Sequence, residues 1–408
     1  MRVFISGISG TGMGPLALFA KSAGYDVVGS DLSAGAVYDE LIKQGIKVHI
    51  GPQDGKFFQQ ELAQGIDWFV YTSALPKDHP ELATAISQGI KTTKRDQFIN
   101  QLIRQLSLKL VAVAGTHGKT TTTAMIIWAA QQLHLPVAYL VGTTLPFAPA
   151  GQYRAGDQFL IYEADEYDRN FLAFHPWLSV ITTVSYDHPD IYPTPDDYTQ
   201  AFQTFESQSG EVIYGGTINA GINLAGLARR DDATAALAAV QHIAKAAGQL
   251  ISESKITEVL NRFPGVGRRF ERLADGVYSD YAHHPEEVSS TIEMAIEEAE
   301  RLSKKGVVAV YEPHQNTRQH QVIAGYKDAF TGVAKLFWLP TYLTREDSTL
   351  PVIAPEQFIA TLAESALAES ATLDNQLLTK LQQYLADDYL ILLMTAGPAD
   401  EWFRANML

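Results

Sequence analysis

The chain has 408 residues, too many for one hydrophobic core, and at about 150 residues per domain it predicts two or three domains. Its formal net charge of −15 argues against a general nucleic-acid binder, which needs a basic face. Because there is no cysteine and no apolar stretch near the ~20 residues of a membrane span, we expect a cytoplasmic protein with no membrane partner. We further expect a monomer or a homodimer.

The chain opens with a predicted strand, a glycine-rich turn and a predicted helix. The strand covers residues 3–6 and the helix 15–23, with Gly10 and Gly12 in the turn between them. Glycines let a diphosphate approach the backbone closely in such a turn. Their offsets do not fit G-x-G-x-x-G, so an NAD site is only weakly indicated. A purely structural turn is the alternative.

The strongest motif joins a predicted strand at residues 110–114 to a predicted helix at 120–132. A glycine loop between a strand and a helix directs several backbone N–H groups to one point and forms a phosphate cradle. Lys119 can reach the β- and γ-phosphates, and the Thr120 hydroxyl can bind Mg²⁺. The general pattern is broken at Val113, where a glycine is usual, so a chance Gly-Lys-Thr is the alternative. The sequence predicts ATP or GTP binding.

Carboxylates cluster after the next predicted strand, at residues 158–162. Four of them fall within six residues: Glu163, Asp165, Glu166 and Asp168. They repel one another unless cations lie nearby, so we expect Glu163 to bind the Mg²⁺ held by Thr120. A solvated acidic loop is the alternative. His188 follows a third predicted strand, at 178–184, and is predicted to hold a second metal ion, with a purely structural histidine as the alternative.

The last third of the chain continues the α/β pattern. Arg268 and Arg269 follow a glycine hinge, from which they can reach a nucleotide phosphate, although exposed arginines are more often solvated surface. Predicted strands at residues 277–281, 307–311 and 390–394 each end in polar residues. Such strand ends describe a sheet whose carboxyl edge forms a binding crevice.

These patterns predict three consecutive α/β domains. The expected order is an N-terminal Rossmann-like domain over residues 1–107, a central P-loop ATPase-like domain with a parallel sheet over 108–264, and a C-terminal Rossmann-like domain over 265–408.

Motifs along nearly the whole chain resemble those of the Mur ligases, the ATP-dependent amide-forming enzymes of peptidoglycan precursor synthesis. The matching stretches are residues 7–13, 29–32, 71–75, 79–81, 115–122, 163–168, 187–192, 265–270, 280–287 and 313–318. The alanine-adding members match best. The resemblance implies an ADP-forming ligase that joins an amino acid, L-alanine, to the carboxylate of UDP-N-acetylmuramate through an acyl phosphate. A tripeptide-adding recycling ligase and a degenerate nucleotide-binding relative without ligase activity are the alternatives.

The motifs and the resemblance together give a set of expected site residues. Expected contacts to ATP are Gly115, Thr116, His117, Gly118, Lys119, Thr120, Thr121, Arg269 and Asp280. Expected contacts to the substrates are Gly10, Thr11, Gly12, Met13, Asp31, Ser73, Glu166, Tyr281, His283 and Arg318. The resemblance implies two Mg²⁺ ions, one held by Thr120 and Glu163 and the second held in part by His188. The expected catalytic residues are Lys119, Glu163, His188, His283 and Arg318.

The chain departs from the alanine-adding ligases at three places. Residues 205–230 leave little room for an extra small sheet that those ligases carry. Asp232 and Ala235 stand where they have asparagines that contact ATP, so recognition of the adenine side is expected to differ. Gln315 stands where they have an arginine, which puts capture of the amino acid in doubt.

Overall fold

The computed structural model describes residues 1–72, 75–188, 191–216, 218–344 and 346–407. Three β-sheets follow one another along the chain, and helices connect the strands of each. This arrangement confirms the predicted α/β fold class. The chain forms two compact units. The first comprises residues 1–222 and 231–264 and contains two sheets, and the second comprises residues 223–230 and those from Gly265 onward. Among the described residues, no helix combines the length and apolarity that a membrane crossing requires.

The first sheet has five parallel strands in the order β3-β2-β1-β4-β5. The strands are β1 (Arg2–Ser6), β2 (Asp26–Asp31), β3 (Lys47–Ile50), β4 (Trp68–Tyr71) and β5 (Lys91–Lys94). The helices are α1 (Met13–Ser22), α2 (Tyr38–Lys43), α3 (Lys56–Leu62), α4 (Pro80–Ser87) and α5 (Arg95–Gln105). Phe4, Phe58 and Phe69 are fully buried and pack ring against ring on one face of this sheet.

The second sheet has six strands in the order β11-β10-β6-β9-β7-β8 and is parallel except for β8. The strands are β6 (Lys109–Ala114), β7 (Val137–Leu140), β8 (Gly151–Gln152), β9 (Phe159–Glu163), β10 (Leu178–Ile181) and β11 (Glu211–Tyr214). The helices are α6 (Lys119–Gln132), α7 (Pro195–Ser207), α8 (Leu227–Ala246) and α9 (Glu253–Leu260). Because β6 lies between β10 and β9, the loops that follow these three strands meet at one edge.

The third sheet has six strands in the order β12-β13-β17-β14-β15-β16 and is parallel except for β12. The strands are β12 (Glu271–Ala274), β13 (Val277–Asp280), β14 (Val307–Glu312), β15 (Lys335–Trp338), β16 (Ala368–Ser370) and β17 (Leu390–Thr395). The helices are α10 (Pro285–Arg301), α11 (Asn316–Val322), α12 (Pro355–Ile359), α13 (Asn375–Ala386) and α14 (Ala399–Met407). The two central strands β14 and β17 are buried along their whole length, as expected for a sheet covered on both faces.

Two predicted elements have different ends in the structure. The strand predicted over 178–184 stops at Ile181, because the backbone beyond it turns to bind the neighbouring glycine loop. The helix predicted over 15–23 begins at Met13 and ends at Ser22. Between α7 and α8, the described residues form only the strand β11 and loops, so the small extra sheet is missing as predicted.

Candidate active site

The loop after β6 has the backbone of a phosphate cradle. Gly115 has a φ of +139° and Gly118 a φ of +81°, both conformations that L side chains rarely adopt. A Cβ atom at Gly115 would lie 2.2 Å from Oγ1 of Thr182. The loop therefore needs glycine at this position both for its conformation and for its close packing against the end of β10.

Thr116 and His117 fix this loop to the chain that follows β10. The N–H of Thr116 donates to the carbonyl of Thr183 (2.7 Å), and that of His117 donates to Oγ1 of Thr183 (3.1 Å). The buried hydroxyl of Thr116 donates to the carbonyl of Ser185 (2.7 Å) and lies 2.8 Å from the Tyr198 hydroxyl. The structure thus gives the Thr116 side chain a supporting role, and its contact with ATP stays a prediction.

Lys119, the first residue of α6, forms an ion pair with the buried Glu166. Its Nζ lies 2.8 Å from Oε2 of Glu166 and donates to the carbonyl of Thr116 (3.1 Å). Burial lowers the pKa of Lys119, but the charge of Glu166 and the hydrogen bond to it outweigh burial, so the pKa is raised overall and the amine stays charged. A nucleotide phosphate would find a fixed positive charge at this point.

Thr120 and Glu163, predicted from separate motifs, are in direct contact. Oγ1 of Thr120 donates to Oε1 of Glu163 (2.6 Å), and the N–H of Gly142 approaches Oε2 of Glu163 (3.3 Å). A hydroxyl and a carboxylate oxygen side by side are hard ligands of the kind that Mg²⁺ prefers. Thr121, next in the helix, is half-buried. The two predicted ligands of the first metal ion therefore fit that role.

His188 lies beside the same buried carboxylate as Lys119. Its Nε2 is 3.7 Å from Oε1 of Glu166 and 3.6 Å from Oδ2 of Asp187. The residue has a φ of +56°, a left-handed conformation that is uncommon outside glycine and asparagine. The structure therefore brings Lys119, Glu166 and His188 together at the edge that also carries Thr120.

The glycine-rich turn of the first sheet carries most of the other predicted contacts of the first unit. Gly10 and Thr11 are exposed and Gly12 is half-buried, whereas Met13 is only 3% exposed and packs into the core. Asp31 accepts a hydrogen bond from the N–H of Ser9 (2.8 Å) and so holds the turn. Ser73 lies outside the described residues.

A cavity of about 200 Å³ joins this turn to the phosphate loop within the first unit. Its lining includes Thr11, Gly12, Arg95, Lys119, Glu163 and Asp165. The turn that is predicted to contact the substrate and the predicted ATP loop thus face one space. Arg95 is absent from the predicted residues, although a basic residue placed directly after β5, at the carboxyl edge of the sheet, was a signal that could have indicated it.

Asp232 is a second residue that the motifs did not assign. Its Oδ1 accepts a hydrogen bond from Oγ1 of Thr122 (3.0 Å), and a Cβ atom at Gly118 would lie 2.2 Å from the same oxygen. A carboxylate therefore rests on the phosphate loop at one of the positions where the alanine-adding ligases resembled by this chain have an asparagine.

In the second unit, Asp280 organises the turn that holds the two arginines. The residue is 5% exposed, and its carboxylate accepts hydrogen bonds from the N–H groups of Phe270 (2.6 Å) and Ala282 (2.7 Å). Burial raises the pKa of Asp280 despite the nearby charge of Arg269. Both of its oxygens already bind backbone, and its contact with ATP stays a prediction.

The two arginines of that turn pack on Tyr281. The guanidinium carbons of Arg268 and Arg269 lie 4.7 and 5.3 Å from the centre of the Tyr281 ring, which is cation–π geometry. Arg268 also donates to the carbonyl of Thr395 (2.6 Å). The loop therefore presents positive charge beside the aromatic ring that was predicted to face the substrate.

His283 lies next to Tyr281, and the positive charge of Arg318 acts on its imidazole. Its Nδ1 is 3.1 Å from the carbonyl of Tyr281 and 3.3 Å from Oε2 of Glu287. Burial lowers the pKa of His283, Glu287 opposes this effect and Arg318 adds to it, so the neutral imidazole is favoured near pH 7. The second unit thus groups three predicted substrate residues.

Gln315 stands before α11 with a φ of +66° and donates its N–H to the carbonyl of Tyr342 (2.9 Å).

Two family models match the chain. The model described as the Mur ligase family, catalytic domain, matches residues 3–106, and the Mur ligase middle domain matches residues 113–260. Together the two ranges cover more than half of the chain.

Curated relatives with a common name align over most of the chain. This chain is 28% identical to the UDP-N-acetylmuramate–L-alanine ligase of Fusobacterium nucleatum, over 87% of this chain and 86% of that protein. It is also 28% identical to the ligase of the same name from Chlorobium chlorochromatii, over 97% of this chain and 94% of the relative.

Solved structures show the same fold. The crystal structure of the UDP-N-acetylmuramate–alanine ligase of Thermotoga maritima superposes with a TM-score of 0.77 at 22% identity, covering 100% of this chain and 98% of that one. The murein peptide ligase of Psychrobacter arcticus superposes with a TM-score of 0.63 at 20% identity, covering 100% and 98%. At these identities the likeness supports the fold alone.

Proposed function

We propose that this chain, which belongs to the Mur ligase family, joins L-alanine to the carboxylate of UDP-N-acetylmuramate while ATP is cleaved to ADP and phosphate. The predicted family is confirmed, and with it an ATP-dependent amide-forming ligase. The substrates are part of the proposal and are supported by the relatives named above. The observation that carries the proposal is the cavity in which Lys119 and Glu163 face the glycine turn at Thr11 and Gly12.

The residues of this cavity suit the activation of a carboxylate. A carboxylate oxygen of the sugar acid attacks the γ-phosphorus of ATP, the bond to the bridging oxygen breaks, and ADP leaves. Lys119 stabilises the negative charge on the transferred phosphoryl group, because its amine is charged and held in place. The alanine amine then attacks the acyl carbon of the acyl phosphate, and phosphate departs with the C–O bond electrons.

Divalent cations belong to the same proposal. Thr120 and Glu163 would hold one Mg²⁺, and His188 with Glu166 would contribute to a second site. A bound Mg²⁺ neutralises phosphate charge during the transfer. Glu166 would then exchange its contact with Lys119 for one with the cation, which frees the amine for phosphate.

In the second unit, Tyr281, His283 and Arg318 are proposed to bind the incoming amino acid. A guanidinium suits the carboxylate of an amino acid. The neutral His283 imidazole suits the acceptance of a proton from the alanine ammonium group. Reaction in the cytoplasm by a monomer or a homodimer completes the proposal.

Phosphate release tests the function. The intact protein is incubated with ATP, Mg²⁺ and UDP-N-acetylmuramate, with L-alanine, with the tripeptide L-Ala-γ-D-Glu-meso-diaminopimelate, or with neither. We expect release that depends on L-alanine. Release that depends on the tripeptide would instead favour the recycling ligase. The pair Glu312-Pro313 also resembles the sequence of that ligase at this position. ATP binding without acceptor-dependent release would contradict the proposal and favour the degenerate relative.

The variant Lys119→Ala tests the assignment of the central residue. Removing the fixed charge that faces the γ-phosphate should lower the alanine-dependent rate by at least about a hundredfold. Lys245→Ala, which removes an exposed lysine at the end of α8, serves as the matched control and should retain the full rate. Full activity of Lys119→Ala would refute the role given to this amine.

A further inference from the structure

Glu287, in the first turn of α10, lies beside His283 and has no role in the function proposed above. Its Oε2 accepts hydrogen bonds from the N–H groups of His283 (3.1 Å) and His284 (3.3 Å). The second of these bonds belongs to a capping box at the start of the helix. The carboxylate is therefore held in one place relative to the residue that is proposed to accept the amine proton.

The main chain of His283 is fixed from its other side as well. Its carbonyl accepts a hydrogen bond from the Tyr311 hydroxyl (3.2 Å), and that hydroxyl lies 2.6 Å from the hydroxyl of Tyr326. Both tyrosines are fully buried. The imidazole itself lies between two rings, with its centre 5.5 Å from that of Tyr281 and 5.6 Å from that of His314. These contacts leave the His283 ring little freedom to move.

The two nitrogens of this imidazole have different surroundings. Nδ1 lies 3.1 Å from the carbonyl oxygen of Tyr281 and 3.3 Å from Oε2 of Glu287. A carbonyl and an ionised carboxylate can only accept hydrogen bonds, so Nδ1 carries the proton of the neutral ring. Among the described residues, Nε2 of His283 forms no hydrogen bond or ion pair, and the side chain is 18% exposed. The neutral imidazole therefore offers a lone pair at Nε2.

The charges around the ring decide how readily it takes up a proton. Burial lowers the pKa of His283, and the charges of Arg318 and Arg269 lower it further. Glu287 opposes them with its negative charge, and the hydrogen bond to the Tyr281 carbonyl acts in the same direction. Because two guanidinium groups disfavour an imidazolium at this place, the carboxylate of Glu287 is the charge that offsets them.

We propose that Glu287 is a positioning residue for the proton transfer to His283: it holds the proton of the neutral ring on Nδ1 and stabilises the imidazolium that forms when Nε2 accepts a proton from the incoming amine. An N–H bond of the ammonium group breaks, its electron pair stays on the amine nitrogen for the attack on the acyl carbon, and a new N–H bond forms at Nε2. This inference rests on the function proposed above and names the atom that accepts the proton. A carboxylate has the same effect on the histidine of a Ser-His-Asp triad.

Nitrogen-15 NMR of the intact protein tests this arrangement without turnover, because the chemical shift of an imidazole nitrogen shows whether it carries a proton. The spectrum of His283→Gln identifies the His283 signals among those of the 11 histidines. In the parent protein, above the titration midpoint of His283, we expect a protonated Nδ1 and an unprotonated Nε2. A neutral ring protonated at Nε2 instead would overturn the proposal.

The variant Glu287→Gln tests the effect of the charge on the same signals. Glutamine keeps an oxygen for the two backbone N–H groups and is compatible with a capping box, so the start of α10 is retained. Loss of the negative charge should lower the titration midpoint of His283. Glu300→Gln removes the same charge from an exposed position on the same helix and should leave the midpoint where it is. An unchanged midpoint in Glu287→Gln would overturn the proposal.

Alanine-dependent phosphate release tests the role in the reaction. We expect Glu287→Gln to lower kcat about ten- to a hundredfold and to leave the KM for UDP-N-acetylmuramate unchanged, because the charge is needed when the imidazolium forms. Glu300→Gln should retain the full rate. In the His283→Gln background, Glu287→Gln should lower the rate no further, since Glu287 acts through that imidazole. Equal losses in both backgrounds would overturn the proposal and show a purely structural effect.

These results separate the inference from the proposed function. Alanine-dependent turnover by the parent protein together with an unchanged kcat in Glu287→Gln would leave the function standing and reject the role of Glu287. A parent protein without acceptor-dependent turnover would reject the function and, with it, the proton transfer from the amine. A lower titration midpoint in Glu287→Gln would even then support the effect of this carboxylate on the His283 imidazole.

Discussion

The carboxylate of Asp232 lies against the loop that we propose to hold the phosphates of ATP, so bound ATP would add negative charge beside it. It accepts a hydrogen bond from the Thr122 hydroxyl and contacts Gly118. An asparagine here keeps an acceptor for Thr122 and removes the repulsion, which at several ångströms and a surface-like dielectric amounts to about 1 kcal/mol. We therefore expect Asp232→Asn to bind Mg-ATP about three- to tenfold more tightly than the parent protein, measured by calorimetry.

The neighbouring Asp231→Asn is the matched control for this change, because it removes the same charge from the same helix. Asp231 interacts with the N–H of Gly216 rather than with the phosphate loop, so its effect should be smaller. Weaker binding of Mg-ATP by Asp232→Asn would contradict the electrostatic argument and would indicate that the nucleotide needs this carboxylate as an acceptor.

The contacts of single residues could be predicted only where strand order brings motifs together. Glu163 ends β9 and Thr120 follows the adjacent parallel strand β6, so their contact follows from the predicted sheet. Arg95 could not be placed in the same way, because its position depends on how α5 packs beside the glycine turn. Nor did the motif around Asp280 indicate that both of its oxygens bind backbone N–H groups.

At the scale of elements, the strand–loop–helix unit around β6 depends on Gly115. Alanine there would have to adopt a φ of +139° and would place its Cβ 2.2 Å from Thr182 Oγ1, 2.8 Å from the Thr183 carbonyl oxygen and 2.9 Å from the Thr183 nitrogen. Strain and displacement together should cost at least about 2–3 kcal/mol. We expect Gly115→Ala to lower the melting temperature by several degrees and to abolish detectable Mg-ATP binding.

Gly24→Ala separates the two causes of that loss. Gly24 also has a positive φ, +89°, but a Cβ there meets nothing within 4 Å. Gly24→Ala should therefore lower the free energy of unfolding only by the backbone strain, about 1 kcal/mol, and leave Mg-ATP binding unchanged. Equal effects of the two substitutions on stability and on binding would show that close packing against β10 does not matter.

Element positions were easier to predict than element ends. The strands β6, β9, β13, β14 and β17 lie within about a residue of their predicted ranges, since continuous apolar runs mark buried parallel strands. The end of β10 could not be predicted in this way. Thr182 and Thr183 are good strand residues, but their hydroxyls and backbone bind the glycine loop instead.

At the scale of the whole molecule, the sequence predicts three domains, and the structure adds a grouping that no motif indicated. The boundaries after residues 107 and 264 stay predictions. Residues 223–230 group with the chain after Gly265, although they lie well before it. Hydrogen bonds to α10 explain this grouping, and such long-range contacts leave no local signal in a sequence.

The hydrogen bonds between residues 223–230 and α10 centre on Glu297. Its carboxylate accepts the N–H of Gly226 (2.9 Å) and both terminal nitrogens of Arg230 (2.8 and 3.2 Å). Because these bonds are only partly exposed, their loss should weaken the local structure by about 1 kcal/mol. In the intact protein that carries Glu297→Ala, we expect the amides of residues 226–230 to exchange with deuterium about three- to tenfold faster than in the parent protein. The exchange of α6 should be unaffected. Glu300→Ala, an exposed change on the same helix, should leave both segments as they were. An unchanged exchange rate at 226–230 would mean that this segment does not depend on Glu297 for its stability, and equally faster exchange in α6 would mean that the effect is not local to this contact.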